Sequence, residues 1–413
     1  MAILKGNAVV GQSGGPTSAI NATLAGVIEG ALSEFGSSAI GTLYGMRNGI
    51  DGLLCENLVN LSDIFSRDAK AIETLKTTPA AALGSCRKKL PPPEKDAATY
   101  EKLFEIFKKY DIRYFFYIGG NDSMDTVMKL SSYAKEHSYE LRVVGVPKTI
   151  DNDLMATDHT PGFGSAAKFV ATTVKEMLRD VAVYTVKAVT IVEIMGRDAG
   201  WLTASAALPV LSGGVGPDLV YLPERTFDAD SFIKDVEACL ERHPAVLVAV
   251  SEGVRFANGE YVGAGGQSGA VDVFGHKYLS GTGKVLENMV KEKIGCKVRS
   301  VELSLPQRCA AHIASKTDII ESAAVGAGAV NAAIEGKSAV MMTLERARGA
   351  EYSVSVGCAD INTIANEIRT VPDEFINDAG NAITERGLEY LAPLIIGEVS
   401  AEFENGMPKH FVI

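Results

Sequence analysis

The sequence predicts an α/β protein of two domains whose sheets are mostly parallel. Three observations carry this. Short β-rich runs alternate with helical patterns along most of the chain, the rhythm of βαβ units. Two apolar runs close in polar loops about 25 residues apart, Gly119-Gly120-Asn121-Asp122-Ser123 and Pro147-Lys148-Thr149-Ile150-Asp151-Asn152-Asp153, where strands of an open α/β sheet present ligand-binding loops. Finally, 413 residues exceed what one ordinary core accommodates.

Taken in order, a strand over 8–10 enters a Gly turn, a helix runs from 18 to 32, and a strand covers 39–43. A strand over 113–118, a helix over 125–135 and a strand over 141–146 follow. Past the Pro161-Gly162-Phe163-Gly164 turn come a helix over 166–179, a strand over 188–194, a helix from 199 and a strand over 245–250 that ends in Ser251-Glu252-Gly253. The Gly-rich stretch 257–270 reads as a surface loop, 278–293 as a helix, and 310–335 as an Ala-rich helical region interrupted at Gly326 and Gly328.

Composition narrows the function. Hydrophobic residues at 46% and charged residues at 22% are globular values. A net charge of −11 opposes nucleic acid or an anionic membrane surface as general partner, while leaving room for a small anion in a locally basic pocket. The six cysteines are scattered without a Cys-x-x-Cys pair, and no histidines stand at metal-ligand spacing, so reduced thiols are expected, with neither zinc nor a disulfide framework. No secretory h-region or run of about 18 apolar residues occurs. A soluble, cytoplasmic protein is expected.

The two polar loops should open into one crevice holding amides, one lysine and three aspartates, a set suited to phosphate oxygens. Gly11-Gln12-Ser13-Gly14-Gly15-Pro16-Thr17-Ser18 follows a strand and opens a helix; it reads either as a phosphate cradle or as a tight turn with Ser18 as N-cap. An extended backbone would place Asp151 and Asp153 on one side, tolerable beside cations, solvent or metal. The run Arg87-Lys88-Lys89 has the look of a solvated face. Two Gly-rich segments, Gly281-Thr282-Gly283-Lys284 and Gly162-Phe163-Gly164, lack the context of a nucleotide loop and read as helix starts.

Together these segments resemble the phosphofructokinase family, in particular its pyrophosphate-dependent branch. The matches run in order through Gly14-Gly15, Gly84-Ser85-Cys86-Arg87, 119–123, 147–153, Met195-Gly196-Arg197, Ser251-Glu252-Gly253, Arg299 and Gln307-Arg308. The resemblance implies two Rossmann-like three-layer αβα domains: 1–162 with 307–357 for the phosphoryl donor, 163–306 with 358–376 for the sugar phosphate, and a C-terminal extension, 377–413, packed on the outside. It implies transfer of a phosphoryl group from magnesium pyrophosphate to the 1-hydroxyl of fructose 6-phosphate.

By the same resemblance, Asp151 matches the base, and Asp153 supports it and the Mg2+, with Asn121 where many relatives carry a metal-associated aspartate. Gly15, Arg87, Gly120, Asp122, Ser123 and Lys148 fall at donor positions. Thr149, Met195, Gly196, Arg197, Glu252, Leu305 and Arg308 fall at sugar-phosphate positions; so does Arg299, which relatives supply from a neighbouring subunit, implying a homodimer or homotetramer. Leu305-Pro306 replaces the aromatic or histidine usual before Gln-Arg. ATP-using relatives normally carry glycine at 122 and 148. A carboxylate about 4 Å from a phosphate charge costs roughly 4 kcal/mol at an effective dielectric of about 20, so Asp122 should exclude a third phosphate and Lys148 compensate the two that remain. Ala25 and Glu29 stand where allosteric bacterial ATP enzymes place effector-binding arginines, implying no such regulation. An ATP-dependent enzyme and a catalytically silent paralogue are the alternatives.

Overall fold

The computed structural model describes residues 3–266, 281–349, 351–365 and 367–413. The far end of the expected Gly-rich loop, 267–270, and the first residues of the helix expected from 278 lie outside the described residues. Two sheets organise the rest. The first contains β1 (Gly6–Gln12), β2 (Ile40–Met46), β3 (Leu58–Asn60), β4 (Ile112–Gly119) and β5 (Arg142–Pro147). The second contains β6 (Ala188–Ile194), β7 (Leu219–Tyr221), β8 (Ala245–Ser251) and β9 (Lys297–Glu302). The chain then returns to the first sheet with β10 (Val340–Arg346) and β11 (Val354–Asp360). The strand orders are β11-β10-β5-β4-β1-β2-β3 and β7-β8-β6-β9.

Only the edges of the first sheet, β2–β3 and β10–β11, are antiparallel; the second is parallel throughout. β11 pairs with β10 along its whole length, from Val354 to Asp360, so the chain stays with the first sheet past 357, where the sequence suggested a crossing.

Each sheet is covered on both faces, which is why its strands read as nearly continuous apolar runs. In the first, Val10, Phe116 and Val144 meet Ile20, Leu24 and Val27 of helix Ile20–Leu32 and Val325 of helix Lys316–Ile334. The alternate residues Val9, Phe115 and Val143 meet Leu103, Phe107 and Val127 on the other side. In the second, Val192, Ile194 and Ala249 pack on Phe163, Val170 and Trp201, and Ile191 and Val248 on Phe232 and Leu286. Each lobe is thus a three-layer αβα sandwich.

Helix Lys316–Ile334 runs through Gly326 and Gly328 without the interruption the sequence suggested. The glycines serve close approach instead. A Cβ on Gly326 would lie 2.1 Å from the Thr23 carbonyl oxygen, and one on Gly26 of the facing helix 1.9 Å from that of Ala323. The first helix begins at Ile20 with Ala19 as N-cap, so Ser18 does not cap it. Residues 377–413 are no outer appendage: Leu391 and Leu394 are buried in the second lobe's core, while Phe411 packs on Phe65 of the first lobe at 5.2 Å.

Because side chains cannot fit between these helix backbones, Gly326→Val should lower stability by about 2 kcal/mol or more. Gly349→Ala, on open surface with nothing within 4 Å, should stay within about 0.5 kcal/mol. Urea unfolding of both variants checks this.

Candidate active site

The first-sheet part of the site lies at the carboxyl ends of β1, β4 and β5, where strand order reverses between β1 and β4. The Ser123 hydroxyl donates to Ser13 Oγ at 3.0 Å across that reversal, and the Lys148 amide donates to the Gly119 carbonyl at 3.0 Å. Gly14, at φ +75°, takes the left-handed conformation that glycine accepts without strain. Its amide donates to the Cys86 carbonyl at 3.1 Å and its carbonyl accepts from the Ser85 hydroxyl at 2.6 Å. These bonds stitch the first loop to the segment carrying Arg87.

Onto this pair of glycines come cations. Lys148, only 3% exposed, donates through Nζ to the Gly15 carbonyl at 2.6 Å. A Cβ on Gly14 would sit 3.3 Å from that ammonium, and one on Gly15 3.3 Å from Nη1 of Arg308. Burial, seconded by Arg308 and Arg87 and opposed by Asp151 and Asp153, pushes Lys148 down to about 8. Burial and Arg87 also hold Arg308 below its usual range. Three mutually repelling cations around open backbone suit a polyanion. The basic run is only partly a solvated face: Lys88 pairs with Asp51 at 3.2 Å and Lys89 with Asp122 at 3.1 Å. Asp122 stands in the first turn of helix Asn121–Glu136, whose N-cap Gly120 brings no capping side chain.

The next loop carries the aspartates. Its backbone is not extended, as the sequence reading had it; Asn152 is left-handed at φ 54° and fully buried. Its side chain accepts from the Thr160 amide at 3.0 Å and donates to the Tyr390 hydroxyl at 3.2 Å. With its middle residue held inward, Asp151 and Asp153 both turn to the crevice. Burial first, then Asp153, pushes Asp151 upward, and Arg197 and Lys148 partly offset this. Asp153 is raised by burial and accepts from Asn121 Nδ2 at 3.4 Å. The Thr149 hydroxyl accepts from the Asp151 amide at 3.0 Å, tying that side chain into the loop.

From the second lobe, the carboxyl ends of β6 and β8 supply Met195-Gly196-Arg197 and Glu252. The Gly196 amide donates to Glu252 Oε1 at 3.4 Å, and burial, with Asp151 and Glu193 nearby, pushes Glu252 up to about 8. Arg197 is close enough to favour the charged forms of both Asp151 and Glu252. The buried Gln307 accepts from the Met195 amide at 3.0 Å and donates to the Ser304 carbonyl at 3.0 Å, so it fixes the loop before Arg308.

Both Gly-rich helix starts set aside from the sequence are filled by internal carboxylates. Glu193 accepts from the Gly283 amide at 2.7 Å, and Asp318 accepts from the amides of Gly162 and Ser165 at 2.8 and 2.9 Å. A carboxylate occupying these amides takes the place an anion would need.

Two expected site residues stand apart. Arg299 is exposed on the edge strand β9. Leu305 is 53% exposed on the turn before Arg308, and its apolar side chain offers a phosphate no hydrogen bond. Conversely, no local pattern marks Lys89 as partner of Asp122, or Tyr390 and Arg369, which hold the aspartate loop from more than 200 residues away. Gln307 could have been found from the Gln-Arg pair.

The phosphofructokinase family matches residues 7–333. The chain belongs to the phosphofructokinase family. It is similar to the pyrophosphate--fructose 6-phosphate 1-phosphotransferases of Xanthomonas campestris pv. campestris, at 44% identity, and Halomonas elongata, at 42%, over 98% of this chain and 95% of each relative. The crystal structure of the pyrophosphate-dependent phosphofructokinase from Nitrosospira multiformis superposes with a TM-score of 0.87 at 40% identity, covering 98% of this chain and 95% of that one. The fold of this phosphofructokinase family member, with its two αβα lobes, therefore coincides with that of a known enzyme.

The buried lysine has a stability consequence. With Lys148 at about 8 in the folded chain and about 10.4 unfolded, both states are protonated at pH 7, where charge burial is penalised. Between about pH 8 and 10.5 the unfolded state binds more protons, so this group's contribution rises with pH. Lys148→Met should therefore raise the thermal midpoint at pH 7, and the gain should shrink toward pH 10; melting curves at both pH values check it.

Proposed function

We propose that this enzyme transfers a phosphoryl group reversibly from pyrophosphate to fructose 6-phosphate, giving fructose 1,6-bisphosphate and phosphate in glycolysis and gluconeogenesis. The observation that carries the choice of donor is the pair at the first-lobe loops: Lys148 buried on the Gly15 carbonyl and Asp122 at the head of helix Asn121–Glu136. The names of the relatives above support the same donor and acceptor.

The residues divide the work as follows. Gly15, Gly120, Ser123 and the amides at the start of helix Asn121–Glu136 cradle the donor, with Arg87 and Lys148 opposing its charge. Asp122, braced by Lys89, puts a negative charge where a nucleotide would carry its further phosphate. Arg197, Glu252 and Thr149 hold the sugar, with the Met195-Gly196 backbone shaping the loop through its bonds to Gln307 and Glu252, and Arg308 holds its phosphate; Leu305 lends only its backbone. Asp151 takes the proton of the 1-hydroxyl as oxygen attacks phosphorus, an assignment its upward-shifted acidity suits because a base works best near the ambient pH. The exposed position of Arg299 fits a role toward a neighbouring chain's sugar phosphate, and so a homodimer or homotetramer.

The hard oxygen donors of Asp153 and Asn121 fit magnesium. Asn121 Oδ1 is buried without a hydrogen-bond partner, and among the described residues no group of three His, Cys, Asp or Glu forms a closed metal cage. One carboxylate, one amide oxygen, water and phosphate oxygens are a normal magnesium environment. When bound, the ion supplies charge neutralisation on the donor phosphates.

We assign the protein to the cytoplasm and expect no regulation of the bacterial ATP-enzyme type. All six cysteines are free thiols, and no helix among the described residues is long and apolar enough to cross a membrane. Ala25 is buried and Glu29 pairs with Lys76 at 2.7 Å, a poor setting for an anionic effector.

Offering pyrophosphate and ATP separately tests the donor: turnover with pyrophosphate is expected, and turnover with ATP alone would overturn the reading. Asp151→Ser should lower kcat by about a hundredfold or more with fructose 6-phosphate binding little changed, measured by steady-state kinetics and equilibrium titration. In the double variant Asp122→Gly with Lys148→Gly, kcat/KM for pyrophosphate should drop by at least about tenfold and use of ATP should rise.

A further inference from the structure

The loop bearing Asp151 and Asp153 is held from behind chiefly by Arg369. Arg369 donates through Nε and Nη2 to the Asn152 carbonyl, at 3.2 and 3.0 Å, and through Nη1 to the Asp158 carbonyl. Its own amide donates to the Asp153 carbonyl at 2.8 Å. The guanidinium therefore spans both ends of the loop from 152 to 158, as a planar fork can and an ammonium cannot.

The same residue reaches the sugar-phosphate side. Its guanidinium lies 4.5 Å from the Trp201 ring centre, and the Trp201 indole N–H donates to the Arg369 carbonyl at 3.0 Å. Trp201 is 99% buried and opens the helix directly after the Met195–Gly200 loop. Tyr390 completes the clamp: its hydroxyl accepts from Asn152 Nδ2 and from Arg369 Nη2 at 3.3 Å, and donates to the Asp158 carbonyl at 2.6 Å.

Resting on the function proposed above, we infer that Arg369 is a positioning residue for phosphoryl transfer: it sets the curl of the aspartate loop and fixes that loop to the base of the sugar-phosphate loop through Trp201. Its guanidinium is engaged by the Asn152 and Asp158 carbonyls and the Trp201 ring. Its loss should misplace the base relative to the acceptor hydroxyl, a displacement that costs turnover while leaving the groups that bind the two anions intact.

The test compares Arg369→Ala, Arg369→Lys and Tyr390→Phe with the native enzyme in pyrophosphate-dependent turnover. For Arg369→Ala, kcat should drop between about tenfold and a hundredfold, with both KM values within about twofold. Guanidinium at non-denaturing concentration should restore at least about threefold of the lost kcat, whereas Arg369→Lys, which keeps the charge but not the fork, should stay impaired. A kcat within twofold of native, a KM rise matching the loss, or no response to guanidinium would overturn the inference. Should Arg369→Ala not fold, Tyr390→Phe decides: removing one hydroxyl leaves the ring on Trp201 and Phe375, kcat should fall about threefold or more, and an unchanged kcat would refute the clamp. Absence of pyrophosphate turnover in the native protein would refute the functional reading instead.

Discussion

A lysine ammonium buried against a backbone carbonyl is the constraint around which the crevice is arranged. Lys148 on Gly15 is expensive to desolvate, and Arg87 and Arg308 make it more so. Such a group persists only where the surrounding structure over-determines it and function needs it. Here the βαβ topology does so: Lys148 follows β5, the glycines follow β1, and β4 lies between them with its own loop bonded to both. The carboxylates of Asp151 and Asp153, across the crevice floor, recover part of the cost and face the same difficulty in reverse.

The distribution of helix N-termini shows how the fold directs an anion to one place. The helices starting near Gly162 and Gly281 are occupied by Asp318 and Glu193, internal carboxylates that complete their orphan amides. The helix opening after Gly120 has no side-chain cap and faces the cation cluster. Composition at these three starts is similar, and only long-range packing separates the uncapped one from the two that internal carboxylates fill.

That difference marks where the sequence was legible. β4, β5, β6 and β8 could be placed nearly to the residue, because strands buried on both faces leave unbroken apolar runs. The polar loops after β4 and β5 marked Lys148, Asp151 and Asp153 as candidates by position, whereas Arg197 and Glu252 came only through the family resemblance. Other features escaped. Gly326 and Gly328 look like helix breakers until the facing helix is in place. The left-handed turn at Asn152 depends on Tyr390 and Arg369, which carry no local signature, and Tyr390 lies in the segment that reads from the sequence as an extension packed on the outside.

The central claim, that Lys148 is a buried cation whose charge awaits a diphosphate, is most directly tested by calorimetry of pyrophosphate binding at pH 8 in buffers of differing ionisation enthalpy. With Lys148 at about 8 before binding, the arriving negative charge should draw it fully into the protonated form. The native enzyme should therefore take up about half a proton more per pyrophosphate than Lys148→Met. Identical proton uptake by the two proteins would contradict the account.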